Sequence, residues 1–412
     1  MDILVKPTSI GGTVYAPASK SYAHRYIIST FLSGGGFVCG ASPSKDVLAT
    51  LEVLSSIGCE YKFENDGVNI TVNDKIQKDI ADCNESGSTL RFLLPILSAL
   101  GKMVKFTGKD SLLSRPISSL VKTLNDNGAK IENLKINGKL NSGKYVIDGG
   151  VSSQFITGLI MALPLLDGNS KIIIKGKTVS KGYIDITLDV LKEFNIKIKK
   201  TIYGYYILGN QRYIKPNNIK VQGDYSNGAF LLSLGALQGG ITVLNIPNNS
   251  KQGDKKIVPI LKKFGAKIER IEDGYYVQKG NLKGTTINAK DIPDIVQIIS
   301  VVASFSKGKT IIKKVDRLKI KESDRLLGII NNLAKAGVKA EYKKGNLYID
   351  GSSPKGNVFS GDNDHRTVMS AIVLATFAKG DSTILGAQAI EKSYPNFISD
   401  YKKLGGIVNG DI

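Results

Sequence analysis

Histidine occurs twice in this 412-residue sequence, each time directly before an arginine: His24-Arg25 in PASKSYAHR and His365-Arg366 in DNDHR. Arginine is itself scarce. Of 56 basic residues only eight are arginines, at 25, 91, 115, 212, 270, 317, 325 and 366, in a chain that otherwise uses lysine. A guanidinium is a rigid planar fork that grips a carboxylate or phosphate at two points, which an ammonium cannot do. Polar residues gather around several of these arginines: Lys20-Ser21 precedes Arg25, Ser86-Gly87-Ser88 precedes Arg91, and Asp364 opens the second His-Arg pair. Ser152-Ser153-Gln154 forms a further cluster of the same kind. The chemistry these types suit is the holding of anions.

Taken singly, each motif has a cheaper explanation. Gly34-Gly35-Gly36 lacks the Lys-Ser/Thr pair of a phosphate loop. The DND before His365 reads as a turn opening a helix, because no further histidine is present to complete a metal site. Ser152-Ser153 is what a helix cap carries. What joins them is the element on which each falls.

One pattern recurs six times: the tail of an apolar helix, a small residue, then a strand. The small residues are Gly58, Gly128, Asn195, Gly265, Gly337 and Gly405, spaced 67 to 72 residues apart. Glycine and asparagine tolerate the left-handed conformation that stops a helix and turns the chain away. A second landmark keeps step with the first. Long apolar helical runs open at Ser21, Gly87, Ser153, Ser226, Asp294 and Asp364, 66 to 73 residues apart. Helices this apolar must be buried around much of their circumference, so the expected fold class is α/β with helices inside and strands outside, three units to a domain. The polar clusters lie at the starts of these helices, where unpaired N–H groups and the positive end of the dipole favour anions.

Composition narrows the partners. The formal charge of +20 favours anionic ones. The lysines are scattered in twos, as at Lys199-Lys200 and Lys262-Lys263, without interleaved aromatics, so nucleic acid is not expected. The N-terminus lacks the pattern of a signal peptide, and the most apolar stretch, residues 155–166, is too short to span a bilayer. No membrane partner is expected, and the location read from these features is cytoplasmic. Cys39, Cys59 and Cys83 show no CxxC spacing and read as buried apolar residues.

The segments PASKSYAHR, ESGSTLRFLLP, SRPISSLVKTL, SSQFITGLIM, SKGYIDIT, IPDI, IKESDR, NDHR and EKSYP stand in the order seen in 5-enolpyruvylshikimate-3-phosphate synthases, a family this sequence resembles over essentially its whole length. The resemblance implies a two-domain inside-out α/β barrel of six βαβαββ repeats, three per domain, helices inward and sheets outward. Residues 17–224 would form one domain and residues 1–16 with 225–412 the other, the active site lying in the cleft between them. It also implies a monomer of the shikimate pathway to aromatic amino acids, with small-molecule substrates and neither metal nor organic cofactor. In that reaction the 5-hydroxyl of shikimate 3-phosphate attacks C2 of phosphoenolpyruvate, C3 is protonated, and phosphate leaves from a tetrahedral intermediate.

By the same resemblance Lys20, Gly87, Arg115, Arg325, Arg366 and Lys392 hold phosphoenolpyruvate. Ser21, Arg25, Ser152, Ser153, Gln154, Ser180, Tyr183, Asp294 and Lys321 hold shikimate 3-phosphate. Asp294, Glu322 and Lys20 are the proton-transfer candidates, their order of action open; His365 takes a site role, and Arg91 supports the site. Two positions depart from the family pattern. ESGS replaces the common NAGT, placing Glu85 beside an anion site, and Phe92 replaces a proline after Arg91. Retention of Gly87 implies sensitivity to glyphosate, which competes for the phosphoenolpyruvate site.

The nearest rival is the related transferase acting on UDP-N-acetylglucosamine. It reads Lys-Asn where this chain has Lys20-Ser21, and usually carries a cysteine where this chain has Asp110. A non-catalytic basic protein that binds nucleic acid would account for the charge but not for the matched motifs.

Overall fold

A computed structural model describes residues 1–73 and 75–410. The chain forms two compact units, one of Lys20–Val221 and one of Met1–Ser19 with Gln222–Ile412. These boundaries lie three residues beyond Pro17 and just before Gly223-Asp224.

In the unit Lys20–Val221 the third repeat shows the plan. Strand Lys144–Asp148 leads into helix Ser153–Ala162, strand Ser170–Lys175, helix Lys181–Glu193 and the hairpin Ile198–Thr201 with Gly204–Ile207. The first two strands pair in parallel, Lys144 opposite Lys171, and the second accepts the hairpin antiparallel, Ser170 opposite Ile207. The first repeat has three strands of its own, and the returning chain bridges to it in parallel through Lys220 and Cys39. Cys59 and Cys83 are buried, whereas Cys39, on that sheet edge, remains partly exposed.

The inner helices of this unit are Lys20–Leu32, Gly87–Ala99 and Ser153–Ala162, buried over most of their residues. Each fully buried Leu, Ile or Phe contributes about 1.5–3 kcal/mol. Close approach is written into the sequence at Gly158, where a Cβ would fall 2.3 Å from the Arg91 carbonyl. Pro95, one turn after Arg91, has no N–H to give that carbonyl, so its lone pairs face the gap that Gly158 leaves.

The unit of Met1–Ser19 and Gln222–Ile412 repeats the plan around helices Tyr225–Leu237, Val296–Ser304 and His365–Phe377. The N-terminal segment supplies strands to two of its sheets. Gly12–Tyr15 pairs in parallel with Ile241–Leu244, and Ile3–Lys6 lies between Ser382–Leu385 and Ile407–Asn409. Helices are inside and sheets outside in each unit, the two-domain inside-out α/β fold.

Candidate active site

In the unit Lys20–Val221 the polar clusters meet at the helix starts. Lys20 is the first residue of its helix, and its ammonium lies 2.6 Å from Asp46 of helix Lys45–Ser55. One turn on, Arg25 donates from Nη1 to the Ser21 carbonyl at 2.5 Å. Its Nε donates to Thr187 Oγ1 at 2.8 Å and its Nη2 to the Tyr183 carbonyl at 2.9 Å, so the helix after Ser180 is tied to the first helix. The guanidinium also stands 4.8 Å from the Phe92 ring centre.

Among the described residues Arg25 has no carboxylate partner, although it is only 2% exposed. Burial is the main cause that pushes its pKa down to about 9, against smaller opposing effects of Tyr22 and Tyr183. It remains a cation at neutral pH. A buried charge without counter-charge is costly, and an anion arriving beside it would relieve that cost.

The other two helix starts are joined by Gln154. Its Nε2 donates to Ser88 Oγ at 2.9 Å, and its Oε1 accepts from Arg91 Nη1 at 2.7 Å. Arg91 Nη2 reaches the Pro116 carbonyl at 3.0 Å, next to Arg115. Ser152 caps its helix by accepting from the Gln154 N–H, while Ser153 is buried one residue in. Ser180 sits in the left-handed region, with φ of 51°, immediately before helix Lys181–Glu193. The Arg115 guanidinium is seated directly against Gly87: a Cβ there would lie 2.7 Å from Nη1, so a side chain at this position would displace the guanidinium. Arg115 Nε is buried and has no hydrogen-bond partner among the described residues. Glu85, beside these cations, is held by Ser111 at 3.4 Å and by Lys109 at 3.8 Å.

The second unit gathers the remaining candidates. Arg325, 1% exposed, donates from Nε to Asp364 at 2.7 Å, from Nη1 to Asp294 at 2.7 Å and from Nη2 to Glu322 at 2.6 Å. Burial alone would lower its pKa, but Asp364, Glu322 and Asp294 together outweigh burial and raise it well above the ordinary value. Lys321 lies 3.1 Å from the same Asp294 oxygen; burial, only partly offset by Asp294, lowers its pKa. Asp364 caps helix His365–Phe377 by accepting from the Arg366 N–H at 2.8 Å. His365, the first residue of that helix, is buried with Nδ1 4.0 Å from Asp364. Arg366 Nη1 donates to Asn227 at 3.1 Å, and Lys392 Nζ to the Asn363 carbonyl at 2.6 Å.

The structure thus brings together Lys20, Ser21, Arg25, Gly87, Arg115, Ser152, Ser153, Gln154, Ser180 and Tyr183 in one unit. Asp294, Lys321, Glu322, Arg325, His365, Arg366 and Lys392 gather in the other. Sequence reading missed three partners: Asp46 for Lys20, Asn227 for Arg366, and the buried Asp254. Ser226 Oγ donates to Asp254 at 2.5 Å, and burial, followed by the charge of Asp294, pushes its pKa up to about 7. None of the three carried a local signal, since each meets its partner across 26 residues or more.

A family profile described as EPSP synthase (3-phosphoshikimate 1-carboxyvinyltransferase) matches residues 4–401. A 3-phosphoshikimate 1-carboxyvinyltransferase of Clostridium perfringens strain ATCC 13124 is 42% identical over 424 residues, which cover 99% of each chain. One from Clostridium novyi strain NT is 38% identical over 427 residues, covering 99% of this chain and 98% of the other. An EPSP synthase structure from Acinetobacter baumannii shares the fold, with a TM-score of 0.81 over 99% of this chain and 100% of that one at 24% identity. Fold and relatives together define a two-domain α/β transferase. The chain belongs to the EPSP synthase family.

Proposed function

We propose that this protein transfers the enolpyruvyl group of phosphoenolpyruvate to the 5-hydroxyl of shikimate 3-phosphate, releasing phosphate, and that both clusters of cations serve this one reaction. The observation that carries the assignment of residues is Arg25, a buried guanidinium with neutral partners only, set among helix starts. Such a place accommodates a phosphate or carboxylate at little further desolvation cost.

In this reading Ser21, Arg25, Ser152, Ser153, Gln154, Ser180, Tyr183, Asp294 and Lys321 take shikimate 3-phosphate. Lys20, the Gly87 backbone, Arg115, Arg325, Arg366 and Lys392 take phosphoenolpyruvate. Arg325 meets three carboxylates through four of its five N–H groups, so a substrate carboxylate could be gripped at two points only by replacing one of them. Glu322 is the replaceable partner, because it is the most exposed of the three, at 26% against 16% for Asp294 and 0% for Asp364. Its release from Arg325 would coincide with substrate arrival and free it to exchange a proton.

The chemistry requires a base for the hydroxyl and an acid for C3. The hydroxyl oxygen forms the new bond to C2, and the C2–C3 π pair takes a proton. Loss of a C3 proton then restores the double bond as phosphate departs with the electrons of its C–O bond. Asp294 suits the hydroxyl, Glu322 the methylene, and Lys20 proton delivery to the leaving phosphate. The protein would act as a cytoplasmic monomer without metal, cofactor, nucleic acid or membrane. No helix among the described residues is long and apolar enough to cross a membrane.

The test is phosphate release from phosphoenolpyruvate by purified protein, with shikimate 3-phosphate in one reaction and UDP-N-acetylglucosamine in another, repeated with Lys20→Ala. Release with shikimate 3-phosphate alone, lost in the variant, is the expected result. Release with only the nucleotide sugar would overturn the reading.

A further inference from the structure

Four buried polar side chains form a continuous chain across three helices. His24 Nδ1 lies 2.7 Å from Thr50 Oγ1, Thr50 Oγ1 lies 2.7 Å from Thr89 Oγ1, and Thr89 Oγ1 donates to Ser86 Oγ at 2.7 Å. All four residues are at most 1% exposed. Ser86 is also the cap of helix Gly87–Ala99, accepting from the Thr89 N–H at 3.3 Å. The direction of the chain follows from counting protons. Each hydroxyl donates once, so with Thr89 donating to Ser86, the Thr89 oxygen accepts from Thr50 and the Thr50 oxygen accepts from His24. That requires an imidazole protonated on Nδ1.

The rest of the imidazole is in apolar surroundings. Its Nε2 is buried with no hydrogen-bond partner among the described residues, and its ring stands at 90° to Phe92 with centroids 6.3 Å apart. Arg25 adjoins the same ring, its guanidinium lying over Phe92. Phe92 is therefore keyed to both members of the His-Arg pair, and the hydroxyl chain fixes the other end of the same turn. Burial, with Lys20 and Arg25 nearby, holds the His24 pKa well below the ordinary range, in keeping with a neutral ring.

We propose that His24 is a positioning residue: through Thr50 and Thr89 it fixes Ser86, and thereby the backbone of Gly87 and the Arg115 guanidinium seated against it. The inference rests on the reading of Gly87 and Arg115 as a phosphoenolpyruvate site. His24 touches no substrate in this account. Its effect is on where the neighbouring helix begins, and so on one substrate more than the other.

The test uses the full-length protein and the Thr50→Val variant, which keeps the volume of the side chain and removes the middle hydroxyl, with Thr50→Ser as the conservative rescue. Loss of one buried hydrogen-bond link at this place is expected to raise KM for phosphoenolpyruvate about tenfold. KM for shikimate 3-phosphate should stay within about twofold, and Thr50→Ser should restore the wild-type value, as expected for a positional effect. Unchanged KM values in folded Thr50→Val, or both rising together, would overturn the proposal while leaving the functional reading intact. No turnover by the wild type would overturn that reading and the proposal with it. If Thr50→Val does not fold, nitrogen NMR of the wild type decides, since only two histidines need assigning. A His24 protonated on Nδ1 supports the chain, and a neutral ring protonated on Nε2 alone overturns it.

Discussion

Arg325 Nη1 lies 2.7 Å from Asp294 Oδ1, and Lys321 Nζ approaches that same oxygen at 3.1 Å. One carboxylate oxygen is thus shared by a guanidinium that two further carboxylates compensate and an ammonium that burial disfavours. The arrangement makes Lys321 dependent on Asp294. Burial and Arg325 lower the Lys321 pKa, and Asp294 is the largest influence opposing them.

Asp294→Asn should therefore lower the Lys321 pKa further. The lysine would lose its charge at a lower pH than in the wild type, and shikimate 3-phosphate would lose that cation with it. Calorimetric titration of shikimate 3-phosphate from pH 7 upward should show affinity falling as pH rises, the fall beginning at lower pH in the variant. Coincident pH profiles would show that Lys321 does not meet this substrate.

Asp254 supplies a second pH dependence, in stability. Its carboxyl rises from an ordinary 3.8 to about 7, chiefly through burial and then through Asp294, with Asp224 adding and Ser226 and Arg366 opposing. The folded state consequently binds a proton that the unfolded chain has released between these values. The stabilisation is fully present below pH 4 and lost as pH rises through about 7. Asp254→Asn keeps the hydrogen bond from Ser226 and removes the titration. Urea unfolding at pH 5 and pH 8 should show the wild type losing on the order of 2–4 kcal/mol more than the variant over this interval. Equal losses would mean that Asp254 ionises normally.

The elements were legible where the determinant was local. All six helix stops fall in the left-handed region, including Asn195 at φ 60° and Gly337 at φ 75°. That follows from backbone sterics within one turn. Helix starts were legible to within a residue or two; at Asp294 a 3-10 turn over Pro293–Ile295 comes first, since proline donates no N–H and fixes its own φ. The motifs named the candidate cations but not what holds them. Lys20 meets Asp46 across 26 residues and Arg366 meets Asn227 across 139, contacts decided by how helices pack. The insertion of Ile3–Lys6 into the last sheet was hidden for the same reason, its partners lying near the other end of the chain.

Arg25 and Arg325 are both buried, yet their removal should have opposite consequences. Arg325→Met leaves Asp364, Asp294 and Glu322 without their shared counter-charge, which costs about 3–5 kcal/mol when a buried pair is broken. Arg25→Met removes a cation that has only neutral partners, and the apolar chain can lie over Phe92 in its place. The lost hydrogen bonds to Thr187, Thr157 and the Ser21 and Tyr183 carbonyls are offset by relief of an uncompensated charge, so stability without substrate should change by about 1 kcal/mol or less. Binding should respond in the other sense. Losing charge-assisted bonds worth about 1.5–3 kcal/mol each should weaken shikimate 3-phosphate at least about tenfold. Thermal unfolding with and without shikimate 3-phosphate reads both effects: Arg25→Met should keep the wild-type midpoint when empty and lose the upward shift that the ligand gives. A large fall in the empty midpoint would show that Arg25 is structural, and a retained ligand shift would remove it from the shikimate 3-phosphate site.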